Sequence, residues 1–500
     1  MIEVKRLKFF ANGQWRESKT TKYMDIWDPS TGMKIAETPC CTEDEVNLAI
    51  KSANDAYPSW SNTSAVKRVQ ILFKFRDLLD QHMDELIHLV CQENGKVWEE
   101  AKGDVLKAKE ITEFACGIPS LMMGESLMDA TTGFDTVLYR ESVGVFAGIA
   151  PFNFPAMIPI GWMMPLCLAT GNTMVLKAAS MTPMTTMRCT ELLQEAGLPD
   201  GVINVVTCSR NEAEIFLKHP DVKGISFVGS TSVGLHIYAT AAANGKRVQA
   251  LTEAKNHALV LEDAALERTA RAIINAAYGC AGERCMALPV IVVQESIADN
   301  LVDLLVTYAK ELKIGRAYEK DSDLGPLVTD AHRNSVISWI EKGVEEGAKL
   351  ILDGRNKTVP GSEKGFYLGP TIFDQVTEEM SVGSEEIFGP VMCIKRVNDF
   401  EEGLAIMNAS RFANGSAIFT QNGYYSREFA KRTHGGMVGI NVGIPVPLGI
   451  FPFTGHKQSF FGDLHMIGKD GIRFYTETKA VTTRWFDEEE MKKKKVNTWD

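Results

Sequence analysis

The chain has 500 residues, 45% of them hydrophobic, 23% charged and 9% aromatic, an ordinary globular composition that excludes a disordered, collagen-like or coiled-coil protein. At about 150 residues per domain, the length predicts about three domains or lobes. Lys and Arg number 53 against 64 Asp and Glu, a net charge of −11; that is the wrong sign for a nucleic-acid binder, which needs a basic footprint to displace counterions.

The chain begins MIEVKRLKFF, charged throughout and without an apolar run of seven residues, so no secretory signal is expected, nor an Arg/Ser-rich transit segment. LKFFANGQW and MDIWDP read as short strands separated by turn signals. Residues 43–118 predict helices, the first opening at Thr42 with Glu43, Asp44 and Glu45 in its first turn. No charge falls between Ser142 and Leu176, long enough to span a bilayer. Pro151, Pro155, Pro159 and Pro165 interrupt it, which predicts buried strand, loop and helix and no membrane span. From about Tyr139, apolar β-branched runs such as SVGVFAGIAP, NTMVLKAAS, GVINVVTC and KGISFVGS alternate with helical stretches, the pattern of a doubly wound parallel sheet. A second set of strands and helices runs from about 265 to 460. Met122–Tyr139 and the strand-like GIRFYTETKAVTTRWF form a small third unit, and DEEEMKKKKVNTWD reads as a solvated tail.

Ten cysteines, at 40, 41, 91, 116, 167, 189, 208, 280, 285 and 393, include no CxxC pair and no Cys/His metal spacing. Neither a disulfide framework nor a metal site is indicated, and most are read as buried thiols. A reducing, intracellular compartment is expected, cytoplasmic, with the mitochondrial matrix left open. A single cysteine is weak evidence of a nucleophile; Cys285 gains weight from its company. It sits in Gly279-Cys280-Ala281-Gly282-Glu283-Arg284-Cys285-Met286. Upstream, Pro151-Phe152-Asn153-Phe154-Pro155 offers an amide of the type that stabilises an oxyanion on an attacked carbonyl. Phe227-Val228-Gly229-Ser230-Thr231-Ser232-Val233-Gly234 carries a strand into a helix start suited to a pyrophosphate. Its GxxxxG spacing departs from the usual GxGxxG fingerprint. Glu385-Glu386-Ile387-Phe388-Gly389-Pro390, in isolation, is a loop.

In this order, together with Lys177 after a strand, these blocks resemble the aldehyde dehydrogenase superfamily over nearly the whole chain. AKNH at 254–257, GERCMAL at 282–288, Phe152 where most relatives carry Trp, and GINVGIPVPLGIFPFTGHKQSFFGD at 439–463 are similar to its coenzyme-A-acylating branch. The resemblance implies an α/β fold with a doubly wound, dinucleotide-binding domain (1–120 and 142–252) and an α/β catalytic domain (253–462). It adds a small β oligomerisation arm (121–141 and 463–486) and a charged tail (487–500). Cys285 attacks the aldehyde as a thiolate, which the pocket must favour, with Arg284 nearby to help. Asn153 and the Cys285 backbone N–H hold the oxyanion. Lys177 takes the adenosine ribose of NAD, and Ser230, between Gly229 and Gly234, the pyrophosphate. Glu386 takes the nicotinamide ribose, with Phe388 beside it, and Ala150, Phe152 and Thr252 line the nicotinamide end. Hydrolytic relatives place a Glu four residues before the Lys of this motif; counting back from Lys255 gives Leu251, which is no base. A thioester without a base lasts long enough for coenzyme A to capture it. The implied reaction converts methylmalonate or malonate semialdehyde to propionyl-CoA or acetyl-CoA with loss of CO2, by a homodimer or homotetramer. The rivals are a hydrolytic, NAD(P)-dependent enzyme on another small aldehyde and a catalytically silent binding protein, the latter disfavoured because Cys285, Asn153, Ser230 and Glu386 are all present.

Four positions depart from the resemblance. Lys107 stands where a second carboxylate-binding Arg is expected, leaving Arg284 as the main clamp for the substrate's distal carboxylate, or else as an ordinary ion pair. Ser180 replaces a Glu that would accept from ribose hydroxyls, which leaves room for NADP. Gly161 is one extra residue between the asparagine block and Lys177. Glu253 replaces a Gly; in an extended segment it shares a face with Leu251, and reads either as a substitute base or as a solvated acid.

Overall fold

The computed structural model describes residues 4–494. Two sheets dominate. The first has eight strands in the order Phe460–Gly462, Arg247–Leu251, Val222–Val228, Val145–Ile149, Thr173–Lys177, Ile203–Val206, Phe9–Ala11 and Gln14–Arg16. The five central strands are parallel and the outer ones antiparallel. Val145–Ile149 and Ile203–Val206 are buried along their whole length, which is why they read as continuous apolar runs and not as alternation. From Val145–Ile149 the chain winds outward through Thr173–Lys177 and Ile203–Val206, then returns to place Val222–Val228 on the other side. That reversal opens a crevice at the strands' carboxyl ends.

The second sheet has seven strands, ordered Lys349–Leu352, Thr371–Asp374, Val391–Val397, Val290–Gln294, His257–Val260, Gly415–Phe419 and Met437–Ile440. All are parallel except Lys349–Leu352. A third, three-stranded antiparallel sheet pairs the hairpin Glu125–Thr131 and Phe134–Ser142 with Thr476–Arg484. The first helix, Glu43–Ser61, opens on a capping box between Thr42 and Glu45, which satisfies two otherwise orphaned backbone donors.

The structure corrects three sequence expectations. GIRF is not strand: Gly468–Phe474 is helical, and the strand begins at Thr476. Phe460–Gly462, grouped by sequence with the second sheet, pairs with Arg247–Leu251 on the first. The tail expected at 487–500 includes a short helical turn, Glu490–Lys492, and the Arg484–Glu490 ion pair (2.5 Å); its last six residues lie outside the described residues. The uncharged stretch after Ser142 is buried strand, loop and helix, and among the described residues no helix is long and apolar enough to cross a membrane. Gly161 lies in a π-helical turn, Met157–Met163, where its N–H donates to Ala156 O (3.3 Å), five residues back. A single extra residue inserted into a helix takes this form.

Candidate active site

Cys285 is reached through an irregular turn. The helix Leu266–Tyr278 ends at Gly279, and Cys280 (φ 50°) and Ala281 (φ 52°) then adopt left-handed backbone conformations, each costing about 1–2 kcal/mol for a residue with a Cβ. Glu100, from the helix Trp98–Cys116, holds this turn: its carboxylate accepts the Cys280 N–H (2.7 Å) and Arg284 Nη2 (2.9 Å). Beyond the turn, the carbonyl of Cys285 accepts from Asn256 Nδ2 (2.8 Å) and Asn414 Nδ2 (3.1 Å). Of the ten cysteines, eight are buried; only Cys40 and Cys285 are partly exposed. Cys285 borders a cavity of about 20 Å³ shared with Arg284, Asn256, Glu386 and Phe388, room for about one water molecule.

Asn153 follows the strand Val145–Ile149 and is buried. Its Nδ2 donates to the carbonyl of Glu283 (3.1 Å), two residues before Cys285, so the structure brings the amide and the nucleophile loop together. The asparagine loop is pinned on several sides. Phe152 O accepts from Asn94 Nδ2 (3.0 Å) and Thr182 Oγ1 (2.9 Å), and Asp104 accepts the Met157 N–H (2.6 Å) while pairing with the fully buried Lys96 (2.9 Å). Lys96 also lies 3.4 Å from the centre of the Phe154 ring. Asn94, Lys96, Glu100, Asp104 and Asn414 escaped the sequence reading. Asp104 left one trace: it falls on the buried stripe formed by Ala101, Val105, Ala108 and Ile111, where an acid needs a partner.

The electrostatics overturn one expectation. Burial pushes the Cys285 thiol up to about 12, and Glu386 adds to the push; backbone N–H groups only partly oppose it. The unliganded pocket therefore favours the thiol, not the thiolate. Burial also pushes Glu386 up to about 8, against the Ala254 N–H (2.9 Å) that it accepts, so its carboxyl is neutral at pH 7. Phe388 (φ 58°) packs edge-on to Phe152 with ring centres 5.9 Å apart, and its carbonyl accepts from His332 Nε2 (2.7 Å).

The residues read as binding a distal carboxylate are engaged within the protein. Arg284 donates to Cys280 Sγ (3.1 Å), Asn275 O (3.3 Å) and Glu100 (2.9 Å). Lys107 pairs with Glu110 (2.7 Å), whose other oxygen accepts the Gly449 N–H (2.6 Å). Glu253 does not share a strand with Leu251, because the strand ends at Leu251; its charge instead adds to the upward push on Glu386.

A second cleft, of about 470 Å³, lies at the carboxyl ends of the first sheet and is lined by Ile149, Ala150, Lys177, Gly229, Ser230 and Arg210, among others. Ser230 caps the helix Thr231–Ala243 without using its side chain, leaving the hydroxyl for a ligand. A Cβ at Gly234 would come within 2.3 Å of Thr252 Cγ2, so the glycine lets the helix start press against Thr252. Thr252 itself donates to Gln458 O (2.6 Å). These features fit the diphosphate of a dinucleotide at a helix N-terminus. Met181 lines the cleft where Ser180 does not. The sequence missed Arg210, Glu214 and His236; the last two pair with each other on the cleft wall.

The aldehyde dehydrogenase family signature matches residues 15–481, and the chain belongs to that family. A malonate-semialdehyde dehydrogenase of Geobacillus kaustophilus is 48% identical over 482 residues, spanning 96% of this chain and 99% of that protein. Among solved structures, the methylmalonate-semialdehyde dehydrogenase of Oceanimonas doudoroffii matches with a TM-score of 0.95 at 41% identity, covering 97% of this chain and 99% of that one. A Sinorhizobium meliloti structure, assigned to the same activity and complexed with NAD, matches with a TM-score of 0.95 at 40% identity over 97% of this chain and 99% of its own.

Proposed function

We propose that the chain oxidises malonate or methylmalonate semialdehyde with NAD and passes the acyl group from Cys285 to coenzyme A, yielding acetyl-CoA or propionyl-CoA and CO2. The observation that carries this reading is 48% identity to a malonate-semialdehyde dehydrogenase across almost the full length of both chains. The site supplies the chemistry. Cys285 Sγ gives its proton to solvent as it bonds to the aldehyde carbon, and the oxyanion takes hydrogen bonds from Asn153 Nδ2 and the Cys285 N–H. NAD, when bound, accepts the hydride. Lys177 and Ser230 hold the adenosine and diphosphate end, with Gly229, Gly234, Ala150 and Thr252 shaping the cleft; Glu386 and Phe388 serve the nicotinamide end. The product left on the protein is a thioester at Cys285. Leu251 is buried and aliphatic, so it activates no water, and the thiol of coenzyme A displaces Cys285 instead. The carboxylate β to the thioester carbonyl leaves as CO2, its electron pair stabilised by that carbonyl before protonation.

Arg284 faces the distal carboxylate in this reading, using the N–H groups that its protein partners leave free. The hairpin strand Glu125–Thr131 is exposed along its length, and Leu127, Met128, Trp485 and Phe486 are exposed. An open edge and apolar side chains of this kind call for a neighbouring subunit, so the protein acts as a homo-oligomer, dimer or tetramer. Ten unpaired cysteines suit a reducing, intracellular setting. The test is NADH formation from malonate semialdehyde with and without coenzyme A, repeated with propanal. Turnover should require coenzyme A and prefer the semialdehyde. Equal NADH formation without coenzyme A favours the hydrolytic alternative and overturns the acylating one.

A further inference from the structure

We propose that Glu100 is a positioning residue for the acyl site, stapling the turn before Cys285 and aiming the guanidinium of Arg284. The helix Trp98–Cys116 makes no use of Glu100 as a cap; its N-cap is Val97, without a side-chain bond. The Glu100 carboxylate instead reaches a loop 180 residues further along the chain. One oxygen accepts the Cys280 N–H at 2.7 Å and the other accepts Arg284 Nη2 at 2.9 Å, and the carboxylate and guanidinium side chains are each only 15% exposed. The first bond lands on the left-handed pair Cys280 and Ala281 itself, and the second reaches it through Arg284, whose Nε donates to Cys280 Sγ (3.1 Å). A donor satisfied there keeps that turn in register, and Cys285 follows five residues later.

The second bond fixes a charge. Arg284 lines the same small cavity as Cys285 and Glu386. Its Nε is taken by Cys280 Sγ and one Nη1 donor by Asn275 O. With one Nη2 donor on Glu100, three of the five guanidinium N–H groups are committed and two remain for a ligand. An arginine anchored on three sides presents its remaining donors in one orientation, which is how a fork discriminates a carboxylate from an uncharged group. The inference rests on the functional reading above, in which a substrate carboxylate meets Arg284.

Two variants separate the two bonds. Glu100→Gln keeps an oxygen for the Cys280 N–H and loses the charge that holds Arg284; Glu100→Ala loses both. With NAD and coenzyme A present, Glu100→Gln should raise KM for malonate semialdehyde about tenfold, the scale of one charge-assisted hydrogen bond. Its kcat should stay within about threefold, and kcat/KM for propanal should fall by about twofold at most. Glu100→Ala should in addition speed the alkylation of Cys285 by iodoacetamide in the unliganded protein, measured on the isolated peptide at pH 9, because a released turn relieves the burial that holds the thiol protonated. If Glu100→Gln leaves KM for malonate semialdehyde within about twofold of wild type, or depresses propanal turnover equally, the aiming role fails. Wild-type protein that handles the two aldehydes alike overturns the functional reading instead. The alkylation arm then decides the staple alone, and an unchanged Cys285 rate in Glu100→Ala overturns it.

Discussion

Burial pushes the Cys285 thiol up to about 12, so in the unliganded protein the sulfur keeps its proton at pH 7. Two causes act on the sulfur, and they separate by pH. Burial acts at every pH, whereas Glu386 adds its charge only as its own carboxyl ionises near pH 8. Below that value the carboxyl is neutral and costs the thiolate little; above it, the carboxylate faces the sulfur. Alkylation of Cys285 by iodoacetamide, followed by peptide mass spectrometry, should therefore be slow at pH 7 and climb through pH 10 without a plateau. Glu386→Gln should match wild type at pH 6.5 and exceed it several-fold at pH 9. A plateau below pH 8 would show that the sulfur is activated before any ligand arrives, and a Gln variant no faster than wild type at pH 9 would show that the Glu386 charge does not oppose the thiolate.

At the scale of single elements, the π-helical turn Met157–Met163 depends on one tight contact. Gly161 packs so closely on the helix Trp98–Cys116 that a Cβ there would lie 2.9 Å from Ala108 Cα, backbone that cannot yield. Gly161→Ala should therefore destabilise the protein by about 1–3 kcal/mol, the cost of overpacking a tight contact, read as a lower unfolding midpoint in urea. A variant as stable as wild type would mean that the turn relaxes freely. The sequence singled out Gly161 by spacing alone; the π-helical turn around it packs against Ala108, which no local pattern announces. The same division holds across the site. Cys285, Asn153 and the strand-to-helix cleft were legible because short motifs carry them, and the parallel strands because buried strands are continuous apolar runs. Glu100, Asp104 and Asn414 were not, because each acts on a segment far away in the chain and nothing near it records the partner. The committed state of Arg284 was hidden for the same reason: its partner Glu100 reads, locally, as an ordinary first-turn acid.

Over the whole molecule, the site leaves a thermodynamic trace in the pH dependence of stability. Burial pushes Glu386 up to about 8 and Glu93 up to about 7, and drives Glu283 up as well. All three retain protons in the folded state at pH values where an unfolded chain, with ordinary carboxyls, has lost them. The folded state then binds more protons than the unfolded one, so stability falls as pH rises toward the folded-state values. Buried His257, pushed down to about 3, works in the opposite sense, but only below about pH 6.5, where an unfolded imidazole is charged. Above pH 6.5 the unfolded imidazole loses its charge, so the opposing contribution of His257, and of His332, which burial also pushes down, fades toward pH 8 while that of the carboxyls persists. Each fully retained proton contributes a slope of up to about 1.4 kcal/mol per pH unit. The unfolding midpoint should accordingly drop across that window, and Glu386→Gln, which carries no titrating proton, should drop less than wild type. The comparison is made in urea at pH 6.5 and 8.0. A wild-type midpoint that holds or rises, or a Gln variant with an unaltered slope, would mean that Glu386 is ionised in the folded protein at neutral pH, and with it the charge facing Cys285.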